Sequence, residues 1–293
     1  MPRDSQKELP PDMSRTGNND VISAIDSWKQ RVIDEHAQAD RFRSDAPGND
    51  HWNKLAHRFA PVDRESAFED ETLKAVLKYV QPSDTVLDVG AGAGRLAVPL
   101  AERCMHVTAV EPSPVMRERM SEQAGAWGVS NLAIVDSSWE DATVEPADVV
   151  ICSHVMYTVR EIDLFIWKLS DSAIREVILV VFEESAMANY FPLWKQVYGE
   201  ERIPLPTLPQ VKDVLTEMGI NFTLEKLPEW QSRPFTDQAA AYEESMARLF
   251  MADSSKYAAS LSRALERSLV PADSGVRFTW AEPHRPCLVR WNV

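Results

Sequence analysis

Apolar positions along the chain alternate between two patterns. Short, nearly continuous apolar runs occur at Thr85–Val89, Val107–Val110, Leu132–Val135, Ala147–Cys152 and Val177–Phe182, the pattern of strands buried on both faces of a parallel sheet. Between them the spacing changes to one apolar residue every three or four. Leu73, Val76, Leu77 and Val80 share one helical face, as do Met116, Met120, Ala124 and Trp127, and Ile162, Phe165, Ile166 and Leu169. Ser113 before Pro114 is a helix N-cap with proline at the first helical position. Pro99 predicts a mild kink early in the helix between the first two strands. Strand and helix in strict alternation predict an α/β fold with a doubly wound, mostly parallel sheet.

Beyond residue 183 the pattern changes. Met187, Tyr190, Phe191, Trp194 and Tyr198 crowd one helical segment directly after the fifth strand, the end of an open α/β sheet at which ligands bind. Residues 184–206 are therefore expected to be a substrate lid, with Glu183, Tyr190, Trp194 and Tyr198 facing the acceptor. A helix through Val211, Val214, Leu215 and Met218 stops at Gly219, and a sixth strand is expected near 222–227. Two helices, marked by Tyr242, Met246 and Leu249 and by Tyr257, Leu261 and Leu265, form an insertion over 235–270. Val276, Phe278 and Trp280 alternate, as do Cys287, Val289, Trp291 and Val293, which predicts a terminal hairpin or strand pair. At the other end, residues 1–19 read as a disordered tail and 20–65 as a helical extension or cap, which leaves 66–293 as the main domain.

The first strand carries the chemistry. It ends in Asp88-Val89-Gly90-Ala91-Gly92-Ala93-Gly94, and glycines after a strand let backbone N–H groups approach a ligand more closely than a Cβ allows. Dinucleotide sites use Gly-x-Gly-x-x-Gly around a pyrophosphate; here the spacing is Gly-x-Gly-x-Gly, followed by Arg95. A carboxylate at Asp88 would repel a pyrophosphate and attract a cationic ligand. The second strand ends in another acid, Glu111, 21 residues after Gly90, where a Rossmann-like unit places its ribose-binding carboxylate.

These motifs resemble those of the class I S-adenosylmethionine-dependent methyltransferases, over roughly residues 66–183. The resemblance implies a seven-stranded sheet whose last strand, Cys287–Val293, inserts antiparallel beside the fifth. It implies S-adenosylmethionine as cofactor and S-adenosylhomocysteine as product, bound through Asp88, Gly90, Ala91, Gly92, Gly94, Glu111, Pro112 and Ser153. It places the adenine against the loop holding Ser138 and Trp139. It also makes the aromatic-bearing segment around Trp52 and Phe59 a lid over the methionine end. His154, just after the fourth strand, is a candidate general base able to titrate near neutrality, and Tyr157 a second catalytic candidate. The fourth motif, Cys152-Ser153-His154-Val155-Met156-Tyr157, lacks the Asn/Asp-Pro-Pro-aromatic sequence of amino methylases.

Composition narrows the partners. A net charge of -14 over 293 residues disfavours a nucleic-acid acceptor, since phosphate binding depends on clustered Lys and Arg; a small-molecule acceptor is expected. The six histidines show no metal-ligand spacing, so no metal is expected. Three widely spaced cysteines, no apolar leader and no long apolar run point to a cytoplasmic protein away from membranes. Two alternatives stay open on residues alone: a non-catalytic S-adenosylmethionine-binding protein, and a nicotinamide-dependent oxidoreductase.

Overall fold

The computed structural model describes residues 22–43, 63–251 and 255–293. The expected tail at 1–19 and the proposed lid residues Trp52 and Phe59 lie outside the described residues. Strands β1 (Thr85–Val89), β2 (His106–Val110), β3 (Leu132–Val135), β4 (Ala147–Ser153), β5 (Ala173–Phe182) and β6 (Thr223–Lys226) are joined by one late strand, β9 (Pro286–Asn292). The seven pair in the order β3-β2-β1-β4-β5-β9-β6. All pairings are parallel except those of β9, which runs antiparallel to both β5 and β6. The chain order thus reverses between β1 and β4, the crevice at which open α/β sheets bind ligands.

Period-two alternation within the strands divides the core between two faces. Val86, Val107, Ala109, Val149 and Ile151 point to the face covered by α3 (Glu71–Leu77), α4 (Ala97–Ala101) and α5 (Pro114–Trp127). Leu87, Val89, Val150, Cys152 and Val177 point to the other, covered by α1 (Ala24–Asp40), α6 (Ile162–Asp171) and α8 (Leu208–Glu217). The short helix α2 (Arg64–Phe68) leads into α3. Within the N-terminal extension, α1 docks firmly on the main domain: fully buried Trp28 donates its indole N–H to the Val159 carbonyl at 2.7 Å. Glu35, Gln38 and Arg202 form a buried polar knot behind it.

Three expectations are corrected. The helix carrying Pro99 is only five residues long, and Pro99 sits in its first turn, where an N–H has no intrahelical partner to lose; no kink is needed. β5 begins at Ala173, four residues before its apolar run. Arg175 and Glu176 precede that run and hide the strand's start, but the sheet neutralises both: Arg175 grips Asp84 at 2.9 and 2.6 Å, and Glu176 accepts Arg290 at 3.0 Å. The third correction concerns the last alternating pair. β8 (Gly275–Phe278) pairs with β7 (Leu269–Ala272) in a separate two-stranded sheet, not with β9. Alternation records burial on one face and does not name the partner strand.

That small sheet closes a second core. α7 (Phe191–Tyr198), α9 (Gln238–Arg248) and α10 (Ala258–Ser268) gather Leu193, Trp194, Met246, Leu261 and Phe278. Trp194 is 2% exposed. Tyr198 donates to the Leu249 carbonyl at 2.7 Å, and Tyr190 to Glu244 at 2.7 Å. The aromatic residues expected to line a substrate lid thus bind the insertion to the segment after β5, because their faces have a hydrophobic partner that sequence order keeps about 50 residues away. Among the described residues, no helix is long and apolar enough to cross a membrane.

Candidate functional site

The site is built at the carboxyl ends of β1, β2 and β4. Gly90, Gly92 and Gly94 all take positive φ, at 70°, 58° and 84°. At Gly90 the requirement is also steric, for a Cβ there would lie 2.4 Å from Val155 Cγ2. The turn thereby brings the backbone after β1 against the loop after β4.

Two buried carboxylates flank this turn. Asp88, 2% exposed, sits one residue from the end of β1. Desolvation pushes its pKa up to about 7, with nearby Glu111 adding to the rise and Arg95 opposing it. Glu111, 6% exposed, lies just past β2 and ties two loops together: one oxygen accepts the Gly92 amide and the other the Ser113 amide, each at 2.8 Å. Arg95 pairs with Asp70 at 2.6 Å, while donating to Ser153 Oγ at 3.2 Å.

Between these loops lies a pocket of about 150 Å³ lined by Gly90, Pro112, Ser138, Trp139, Val155 and Phe165 among others. Four residues singled out from sequence, Gly90, Pro112, Ser138 and Trp139, therefore converge on one cavity. Ser138 Oγ bonds Asp141 and fixes the loop after β3. The indole N–H of Trp139 is buried without a hydrogen-bond partner among the described residues, an arrangement that a ligand acceptor atom would relieve.

His154 and Tyr157 meet as a pair. The His154 amide donates to the Val180 carbonyl, ending the β4–β5 ladder, and the residue then turns with φ +60°. This conformation stacks the imidazole on Phe182, with centroids 4.1 Å apart and planes at 21°. Nδ1 lies 2.9 Å from Tyr157 Oη. Burial, with Arg95 adding to it, pushes the imidazole pKa down to about 3. The expectation of a group titrating near neutrality fails here, because a ring packed between strand ends loses the water that would solvate its cation. Burial also raises the Tyr157 phenol above its ordinary range.

Several neighbours escaped sequence reasoning. Phe182 is hidden in an apolar strand, and half-exposed Trp230 reaches the edge through a backbone bridge to His284. Val155 alone had a local signal, its place two residues after β4. Glu183 is at the end of β5 but is held by Lys226 and Arg285.

Comparison with known proteins agrees with this geometry. A methyltransferase domain model matches residues 86–170. An uncharacterized protein of Haemophilus influenzae is 30% identical over 206 residues, 68% of this chain and 75% of that one. The ubiquinone biosynthesis O-methyltransferase of Rickettsia felis is 32% identical over 124 residues, 40% of this chain and 49% of that enzyme, so the chain spans about half of its length. Among solved structures, the YcgJ protein of Bacillus subtilis superposes with a TM-score of 0.52 at 13% identity, covering 78% of this chain and 98% of that one, a likeness of fold. With its sheet order, antiparallel inserted strand, glycine turn and domain match, the chain belongs to the class I S-adenosylmethionine-dependent methyltransferases, enzymes whose methyl donor is S-adenosylmethionine.

Proposed function

We propose that this enzyme methylates a small organic molecule, holding its cofactor across the β1–β4 crevice. The observation carrying this reading is the pocket of about 150 Å³ lined by Gly90, Pro112, Ser138 and Trp139, with the buried carboxylates Asp88 and Glu111 each within two residues of a lining position in the chain. The residues fit the cofactor: Gly90 leaves no room for a side chain, Glu111 would take the ribose hydroxyls, and the Trp139 N–H, without a partner among the described residues, would meet the base together with Ser138 and Pro112. Asp88, Ala91, Gly92, Gly94 and Ser153 complete the cradle. When bound, S-adenosylmethionine supplies an electrophilic methyl on a sulfonium, whose thioether leaves neutral and needs no acid.

The protein's own contribution is then positioning. Aligning a nucleophile about 3 Å from the methyl, away from water, lowers the barrier by roughly 7–11 kcal/mol in well-oriented systems. His154, Tyr157 and Phe182 form the wall at the carboxyl edge of β4 and β5, and His154 faces the acceptor. A small acceptor is supported by the charge arrangement at that edge. Lys226 pairs with Glu183, and Arg285 with both Glu183 and Glu229, so these cations are already committed and form no track for phosphates.

The test is twofold. Calorimetry should detect S-adenosylhomocysteine binding and none by NAD. Labelled S-adenosylmethionine incubated with fractionated extract should mark the small-metabolite fraction; label found in RNA or protein instead overturns the acceptor class.

A further inference from the structure

The hydrogen bonds around Tyr157 bear on which nitrogen of His154 carries the proton. Phe182, the last residue of β5, donates its backbone N–H to Tyr157 Oη at 2.9 Å, and the same oxygen lies 2.9 Å from His154 Nδ1. A phenol has one proton and two acceptor positions, and the Phe182 amide occupies one of them. If Nδ1 carried the proton, it would fill the second, and the phenol O–H would be left with no acceptor among the described residues. If Nδ1 is bare, the phenol donates to it and both hydrogen bonds are made. A part-buried polar group strongly favours the arrangement that satisfies it. The imidazole is neutral, so its proton is then on Nε2, which makes no hydrogen bond among the described residues.

We propose that Tyr157 is a positioning residue that holds His154 as the Nε2–H tautomer, so that His154 offers the methyl acceptor a hydrogen-bond donor and not a base. This rests on the reading of His154 as facing the acceptor, and it specifies the acceptor's chemistry. The nucleophile has no proton to lose at His154: it is an oxygen already ionised, as in a carboxylate or an acidic phenol, or it lies beside an oxygen that takes the Nε2–H. A lone pair of the nucleophile forms the bond to the methyl carbon, the carbon–sulfur bond breaks, and its electrons stay on the neutral thioether. No proton moves.

The backbone supports such a fixed donor. Histidine is among the non-glycine residues that tolerate a left-handed conformation. At φ +60° the ring is pinned flat on Phe182, the same residue whose amide orients the phenol. Arg95, paired with Asp70, is the charged group that disfavours the imidazolium form.

Long-range proton–nitrogen correlation on histidine-labelled protein saturated with S-adenosylhomocysteine reads the tautomer directly, with His154 assigned by the signal lost in His154→Gln. The expected spectrum shows a neutral ring protonated on Nε2 between about pH 5 and pH 8. Tyr157→Phe, which keeps the ring and removes the donor, should shift the signal toward the Nδ1–H form while retaining S-adenosylhomocysteine binding. A wild-type ring protonated on Nδ1, or a tautomer unchanged by Tyr157→Phe, overturns the assignment. His154→Phe is the separate control: unchanged transfer to the small-metabolite fraction would sink the acceptor-facing reading and leave the tautomer assignment intact.

Discussion

The carboxylate of Glu111 accepts the Gly92 amide at 2.8 Å, so the acid that ends β2 is built into the glycine turn that ends β1. Its other oxygen holds the Ser113 amide at the start of α5. One side chain thereby sets the spacing of both loops around the pocket.

Glu111→Ala should therefore impair binding and folding together. Hydrogen bonds to a charged group contribute about 1.5–3 kcal/mol each, so S-adenosylhomocysteine affinity should fall roughly 10- to 100-fold by calorimetry. The melting temperature of the free protein should fall as well. Glu111→Gln, which keeps one acceptor oxygen, should lose less of both; an affinity equal to wild type in Glu111→Ala would remove this residue from the site.

Asp88 should make cofactor binding depend on pH. Its folded pKa, raised to about 7, lies above that of the unfolded chain, so ionisation favours the unfolded state. The ligand-free protein should be most stable below about pH 4 as far as this group is concerned, and lose that increment as pH rises toward 7. A ligand ammonium or sulfonium reverses the preference by stabilising the carboxylate. Affinity should rise from about pH 5.5 to pH 7.5, with proton release seen as a buffer-dependent binding enthalpy near pH 6. Asp88→Asn should flatten both, and a wild-type enthalpy independent of buffer would contradict the prediction.

The glycines separate strain from crowding. Gly92→Ala places its Cβ in open space at φ +58°, so backbone strain alone should cost about 1–2 kcal/mol. Gly90→Ala adds a 2.4 Å contact with Val155 at a similar φ and should cost about 1–3 kcal/mol more. Denaturant melts of the two variants test the ranking, and Val155→Ala should restore part of the Gly90→Ala loss and none of the Gly92→Ala loss.

The docked N-terminal helix depends on a buried ion pair. Glu35 and Arg202 are each less than a tenth exposed at the side chain, and Arg202 also bonds Gln38 at 2.7 Å. Glu35→Ala leaves the guanidinium buried beside Trp194 without its carboxylate and should cost about 3–5 kcal/mol. A loss below about 1 kcal/mol in urea melts would mean that α1 contributes little to the fold.

Much of the main sheet was legible because its signals are local. Asp88 and the three glycines announce a strand that ends at a ligand. Ser113-Pro114 announces a helix start, and the stripe Ile162, Phe165, Ile166, Leu169 matches the buried face of α6 residue for residue. The failures at the carboxyl end turned on which element packs against which. Tyr190, Trp194 and Tyr198 have the composition of a lid, but α9 and α10 supply them with a core. Val276 and Phe278 alternate like a strand of the main sheet, yet their nearest neighbour in the chain, β7, captures them.

The sequence by itself determined the order of strands and helices, the glycine turn, the positions of Asp88 and Glu111, and with them the class of the methyl donor, because each depends on residues within a few positions of one another. The tertiary structure decided the surroundings of His154. Its nearest control, Tyr157, is three residues away, but the atom that orients Tyr157 is the Phe182 amide, 25 residues further on in a neighbouring strand. Burial and hydrogen-bond direction are properties of packed neighbours, so what a histidine can do to a substrate is settled only when the strands have come together.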